Sequence, residues 1–258
     1  MKRVLSVLVL VALAIAPAAV FAQTEEPETM TFTSADGLLT LQAPAEWDSE
    51  ELPAETGLPG VQLASSPETL DRLINGGALE SGEQGVVVML IPTDLMELIG
   101  IPVAQDGTAS DLASAFAYSF TGVEPGAAEA TAEPGMMATE DPFASNTNVS
   151  AVQTEELSSG VEAASVTYAD SLSEGSIVAY ELKDGLAVVI ISIVVPDEYT
   201  DAFHQQIIDL ASTIQYAGEP EDLVAALMGS MGVEPTSPDM STAEPDAMMP
   251  AATEAVAG

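Results

Sequence analysis

The chain contains no cysteine, a single histidine, and only 4 lysine and arginine residues among its 258 residues. Without cysteine it can form no disulfide framework, no thiolate nucleophile, no Cys-ligated zinc site and no lipid-acylated cysteine. One imidazole is too few for a histidine-rich metal site. A nucleic-acid-binding protein needs cations to neutralise phosphates, so the scarcity of basic residues excludes nucleic acid as a partner.

Residues 1–22 have the pattern of a secretory signal peptide. Lys2 and Arg3 provide a short basic start, Val4–Ile15 is an apolar run broken only by one serine, and small residues precede a cleavage point after Ala22. The pattern predicts a secreted or periplasmic protein with no stable membrane span after cleavage. An uncleaved N-terminal membrane anchor is the alternative, although the run is short for a span of about 20 residues.

Acidic residues dominate the charge of the chain. It carries 41 aspartates and glutamates and a formal charge of −37, and only Arg72 and Lys183 remain as strong cations once the predicted signal is removed. Three interpretations fit this excess: adaptation to a saline or divalent-rich exterior, calcium binding, or simple solubility of a secreted protein.

Composition divides the chain into a globular part and low-complexity segments. Residues 30–216 are predicted to form one globular domain, interrupted by an insertion over 123–148 rich in Ala, Glu, Pro, Thr and Met. Residues 23–29 are a flexible stub, and 217–258 form an acidic tail that could include a short helix over 220–231. Because a structureless loop of this length is unusual, two small domains are the alternative.

Two predicted strands, Val86–Ile91 and Leu186–Val195, are almost wholly apolar, which predicts that both faces of the sheet are covered. The strands follow one another through short turns, so the sheet should be mostly antiparallel. The sequence therefore predicts an α+β fold, a three-layer α/β/α sandwich with a mostly antiparallel central sheet. Further strands are predicted over Met30–Ser34, Leu38–Gln42, Val61–Ser65, Val149–Leu157, Val161–Ala169 and Ile177–Lys183.

Three helices are predicted from their caps and apolar faces. The first follows Ser66 as N-cap and ends at Asn75. The second spans Asp111–Phe120, with Ser110 as cap and Phe120 on its buried face. The third spans Asp197–Gln215, with acidic residues in its first turn, where the helix dipole favours them.

The two ends of the predicted domain carry a family resemblance. The opening hairpin and the segment around the last helix supply the residues that carry it: Phe32, Gly37, Leu39, Leu41, Pro44, Trp47, Pro196, Tyr199, Phe203 and Ile214. Over roughly 30–216, outside the insertion, the chain resembles the PsbP/Mog-one-like family, which includes periplasmic DcrB-type proteins. The resemblance implies an α/β/α sandwich that serves as a binding or accessory module. No functional residue of that family maps onto this chain.

A cluster of acids around Trp47 is the candidate metal site. Glu46, Asp48, Glu50 and Glu51 supply hard oxygen ligands, which suit calcium. Calcium-binding loops interleave their ligands with glycine at defined spacing, and this run has no such pattern. A solvated acidic loop is therefore the alternative, and no other cofactor is predicted.

The sequence contains few combinations of residues that could form a catalytic site. A Ser-His-acid triad would have to use His204, and the chain has no Gly-x-Ser-x-Gly elbow. We therefore expect a non-enzymatic extracytoplasmic binding or accessory module, whose partner is an extracytoplasmic protein, a glycan or a small ligand. A calcium-binding protein is the first alternative. A hydrolase that uses two carboxylates is the second.

Overall fold

The structure, a computed structural model, describes residues 28–53, 56–101, 103, 107–127 and 147–230. The predicted signal peptide, most of the predicted insertion, and the predicted tail beyond residue 230 lie outside the described residues. Within them the strands are β1 Thr29–Thr33, β2 Leu39–Pro44, β3 Asp48–Glu51, β4 Gly60–Ala64, β5 Gly85–Pro92, β6 Asn148–Val149, β7 Gln153–Glu156, β8 Glu162–Ala169, β9 Glu174–Lys183, β10 Leu186–Val194 and β11 Gln215–Tyr216. The helices are α1 Pro67–Ile74, α2 Thr93–Met96, α3 Ala109–Thr121, α4 Asp201–Ala211 and α5 Pro220–Ser230.

The main sheet has eight strands, in the order β3-β4-β5-β10-β9-β8-β6, with β7 also paired to β8. Every described pair is antiparallel. The two apolar strands, β5 and β10, are neighbours in its centre, where Val189 of β10 lies opposite Met89 of β5. This arrangement confirms the predicted, mostly antiparallel central sheet.

Side chains of β10 alternate between two hydrophobic clusters, one on each face of the sheet. Val188 and Ile190 pack on the face that α4 and a small three-stranded sheet cover. Ala187 and Val189 pack on the opposite face, together with residues of α2 and α3. The three-layer α+β architecture is therefore confirmed, and one outer layer combines a helix with the small sheet of order β1-β2-β11.

Helix α3 begins earlier than predicted. Its N-cap is Thr108, not Ser110, because the Thr108 hydroxyl accepts a hydrogen bond from the Asp111 backbone N–H while the Asp111 carboxylate bonds back to Thr108. Phe120 is 50% exposed instead of buried. Its ring contacts Tyr168 edge-on, with 5.2 Å between the ring centroids.

Helix α4 is shorter at both ends than the predicted Asp197–Gln215. Thr200 is its N-cap, since its side chain accepts a hydrogen bond from the Phe203 N–H. Asp197 has a left-handed φ of 67°, which is incompatible with a right-handed α-helix. Asp197 and Glu198 therefore precede the helix. At the other end Gln215 pairs with Thr40 of β2 as a strand residue.

Two further boundaries differ from the sequence prediction. The acidic segment after Trp47, predicted as a loop, forms β3 and pairs with β4 at the edge of the main sheet. The predicted strand Val149–Leu157 is divided into β6 and β7, which pair with opposite ends of β8. Among the described residues, no helix is long and apolar enough to cross a membrane.

Candidate functional site

The four acids of the predicted metal site do not converge. Glu46 lies in the turn before β3, and alternation along β3 places Asp48 and Glu50 on one face of the strand and Glu51 on the other. The Glu51 carboxylate accepts a hydrogen bond from the backbone N–H of Ala35. Across the described ranges, no three acidic or histidine side chains form a group that could hold a metal ion.

Trp47 lies inside the protein. It is only 4% exposed, and its ring centroid lies 6.4 Å from that of Phe203 on α4. The indole therefore anchors the turn between β2 and β3 against α4, and it offers no surface on which a sugar could stack. This indole is therefore not available as a sugar-stacking surface to the carboxylate-based hydrolase that is the second alternative.

His204, on α4, takes part in a hydrogen-bonded chain that sequence reasoning missed. The Tyr199 hydroxyl lies 2.7 Å from His204 Nδ1, and His204 Nε2 lies 2.8 Å from Glu155 Oε1 on β7. The Ser165 hydroxyl of β8 donates to the same carboxylate oxygen at 2.6 Å. When Tyr199 donates to Nδ1, the Nε2–H donates to Glu155, so both ring nitrogens are satisfied.

This chain of groups has the wrong order for a Ser-His-acid triad. The hydroxyl of Ser165 bonds to Glu155 and not to His204, and Ser165 is only 3% exposed. Burial raises the pKa of Tyr199 to about 12, against smaller opposing hydrogen bonds from Ser176 and Ser192, so its phenol stays protonated at neutral pH. The network therefore ties the start of α4 to β7 and β8.

The candidate binding site is a groove between β2 and α4, which we call the β2–α4 groove. It has a volume of about 440 Å³ and is lined mainly by apolar surface. Ala43 and Leu210 are almost fully buried and form its floor. Its lining residues are Thr29, Gln42, Ala43, Pro44, Glu46, Ala202, Gln205, Gln206, Asp209, Leu210 and Thr213.

The groove exists because the small sheet is incomplete next to α4. Strand β11 pairs only with Leu39 and Thr40 of β2. Farther along β2, the Gln42 N–H donates to the Thr213 hydroxyl at 2.9 Å, which holds the strand to the end of α4. The last residues of β2 extend beyond both contacts, so the groove opens between them and the exposed face of the helix.

Two other cavities in the described part of the chain are more polar. One of about 330 Å³, between the β9–β10 hairpin and α5, is lined partly by Glu181, Asp184 and Glu221. Another, of about 430 Å³, surrounds the β7–β8 hairpin and its glutamates. Because ligand sites combine a largely apolar surface with a few polar groups, the β2–α4 groove is the better candidate.

Comparisons with known proteins agree with the predicted resemblance of fold. No family model and no curated protein matches the chain. It is similar to the solution structure of cyanobacterial PsbP (CyanoP) from Synechocystis sp. PCC 6803, with 12% identity and a TM-score of 0.40, over 78% of this chain and 99% of that chain. It is also similar to the Ran-binding protein Mog1p of Saccharomyces cerevisiae, with 13% identity and a TM-score of 0.35, over 80% of this chain and 94% of that chain.

Proposed function

We propose that the protein is a secreted or periplasmic, non-enzymatic binding or accessory module that binds its ligand in the β2–α4 groove. The observation that carries the proposal is the groove itself, with its buried apolar floor of Ala43 and Leu210 and its polar rim. A concave apolar surface with a few polar groups is typical of binding sites. The signal-like pattern of residues 1–22 supports the extracytoplasmic location.

The engagement of His204 supports the non-enzymatic part of the proposal. Both of its ring nitrogens have partners within the fold, Tyr199 and Glu155. His204 does not line the β2–α4 groove, and its nitrogens contact a phenol and a carboxylate instead of a hydroxyl or thiol that could act as a nucleophile. The network therefore holds α4 in place against the main sheet, and α4 forms one wall of the groove.

The experiment that tests the proposal is a ligand screen by NMR on isotope-labelled residues 23–258. A library of small fragments and short peptides should shift amide resonances that cluster in the β2–α4 groove. The variant Ala202→Phe, which fills the groove from an exposed position of α4, should abolish those shifts. The matched control is Ala225→Phe, at an exposed position of α5 outside the groove, and it should leave them unchanged.

Two results would contradict the proposal. Ligand-induced shifts that avoid the groove would show that the binding site lies elsewhere. Turnover on a broad panel of hydrolase substrates, abolished by one carboxylate substitution, would show that the protein is an enzyme.

The predicted location is tested by export of the full chain followed by N-terminal sequencing. The mature protein should begin at Gln23.

The calcium alternative is tested on the same protein. Thermal unfolding is measured with NaCl and with a few millimolar CaCl2 at matched ionic strength. A ligand that binds only the folded state raises its stability by mass action, so a midpoint raised by calcium alone would establish a specific oxygen site. Equal effects of the two salts would show general screening of the carboxylates.

A further inference from the structure

We infer that the β2–α4 groove is specific for a basic polypeptide segment and receives a lysine or arginine side chain, an inference that rests on the proposed function of the groove. The aliphatic part of that side chain would lie on the apolar surface that Pro44 and Ala202 present beside the buried floor of Ala43 and Leu210. Its cationic end would lie at the rim, where Glu46 and Asp209 provide carboxylates.

The shape of the groove fits a side chain that is apolar along its length and charged at its tip. Ala43 is 1% exposed and Leu210 is 3% exposed, so the floor is closed and apolar. Lysine and arginine bury their methylene groups along such surfaces while the charged group stays in contact with water. A purely apolar side chain would fill the floor and leave the rim carboxylates without a counter-charge.

The charges around the groove are of one sign. Glu46 and Asp209 line it, and no basic residue does. The two strong cations of the described chain are engaged elsewhere: Arg72 bonds to Glu83 and Glu80, and Lys183 donates to the carbonyl oxygen of Gly218. Neither cation of the described residues is therefore available to the groove, and we assign its cation to another molecule, because complementary charge both selects a partner and speeds the encounter.

Amide side chains on both walls of the groove favour a polypeptide over a free cation. Gln42 lies on β2, and Gln205 and Gln206 lie on α4. Each amide carries a donor and an acceptor, which match the N–H and C=O groups of a peptide backbone. Gln205 already bonds to Asp209 at 3.0 Å, a contact that orients that carboxylate along the helix.

The test uses three probes on labelled residues 23–258: an unstructured lysine-containing dodecapeptide, the same peptide with every lysine acetylated, and spermidine. The lysine peptide should shift groove resonances in a saturable way, and acetylation should weaken its binding at least about tenfold, because the cation is removed. Spermidine at the same concentration should bind much more weakly in the groove, because it has no peptide backbone for the amides.

Charge-neutralising variants separate the groove from the general acidity of the protein. The double variant Glu46→Gln/Asp209→Asn should weaken binding of the lysine peptide about tenfold or more. The control Glu97→Gln/Asp184→Asn removes the same charge at exposed positions outside the groove and should change it less than about twofold. Unfolding midpoints of both variants, measured in parallel, verify that each is folded.

Each contrary outcome has a separate meaning. Equal weakening by the two double variants would overturn the inference, because it would show non-specific attraction to an acidic protein. The inference would also be overturned if the acetylated peptide or spermidine bound in the groove as tightly as the lysine peptide. The groove would then remain a binding site, but not one specific for a basic polypeptide. Failure of the fragment screen at the groove would refute the proposed function itself.

Discussion

The Tyr199 hydroxyl lies 2.7 Å from Nδ1 of His204, five residues along the chain, across the N-terminal end of α4. The opposite nitrogen of the same ring contacts Glu155 on β7. The imidazole therefore bridges the segment that leads into α4 and an outer strand of the main sheet. This bridge fixes the helix whose exposed face forms one wall of the β2–α4 groove.

Loss of the Tyr199 hydroxyl should weaken this bridge. We expect Tyr199→Phe to lower the free energy of unfolding by about 1 kcal/mol, since a partly buried His204 nitrogen loses its partner while the ring volume is kept. The measurement is urea denaturation at neutral pH. The matched control is Tyr118→Phe, at a half-exposed ring on α3, and it should have almost no effect. Equal losses in the two variants would contradict the bridge.

Gly175 should tolerate no side chain. A Cβ atom there would lie 1.8 Å from the Ser192 carbonyl oxygen of the neighbouring strand β10 and 2.9 Å from the Tyr168 hydroxyl. We expect Gly175→Ala to cost about 3 kcal/mol or more, because β9, which carries Gly175, would have to separate from β10. Gly85→Ala, in β5, is the control, since its Cβ would meet only leucine methyl groups, those of Leu73 at 3.4 Å and one of Leu79 at 3.8 Å. A stable Gly175→Ala variant, measured by thermal unfolding, would contradict the close approach.

Glu156 and Glu162 lie directly opposite each other on β7 and β8, and both are exposed. Like charges at opposed positions destabilise a sheet, so Glu162→Lys should stabilise the protein by about 0.2–1 kcal/mol, and more at low salt than at high salt. Glu97→Lys makes the same charge change at an exposed position after α2. A gain of the same size in both variants would show that it comes from net charge and not from this pair.

The capping box of α3 should make a local, pH-dependent contribution. Hydrogen bonds from the Thr108 backbone N–H and hydroxyl hold the pKa of Asp111 below its ordinary value of 3.8. The ionised carboxylate therefore stabilises the fold above that value, and this stabilisation is lost as pH falls through the lowered pKa.

Asp111→Asn removes the ionised carboxylate at every pH. We expect it to cost a few tenths to about 1 kcal/mol at pH 7 and nothing once Asp111 itself is protonated. The measurement is the difference in unfolding free energy between the two proteins across pH 2–7. A difference that stays constant with pH would contradict the assignment of the effect to charge.

The centre of the fold could be predicted because its residues leave little choice. Almost every residue of β5 and β10 is apolar, and such strands are stable only when both of their faces are buried. The helix after Ser66 was equally clear, because a capping hydroxyl, a proline and an early acid coincide there, and the structure places α1 at that point.

The edges could not be predicted because tertiary contacts decide them. The residues of β3, Asp-Ser-Glu-Glu, have low strand propensity, and they form a strand only because β4 presents a free edge. The β2–α4 groove could not be predicted either. Gln42 and Thr213 are 171 residues apart in the sequence, and no local pattern records that they meet.

The pairing of β5 with β10 has a consequence for the order of folding. The paired residues of β5 and β10 are roughly a hundred positions apart in the sequence. The paired residues of β2 and β11 are farther apart still. Closing such long loops costs entropy before any contact repays it, so topologies of this kind fold slowly. A chain that is synthesised or exported with its N-terminus first cannot complete the central sheet until Val194, the last residue of β10, is available. Because β10 ends at residue 194 of 258, about three-quarters of the polypeptide must be available before the central pair of strands, and the core on both of its faces, can be complete.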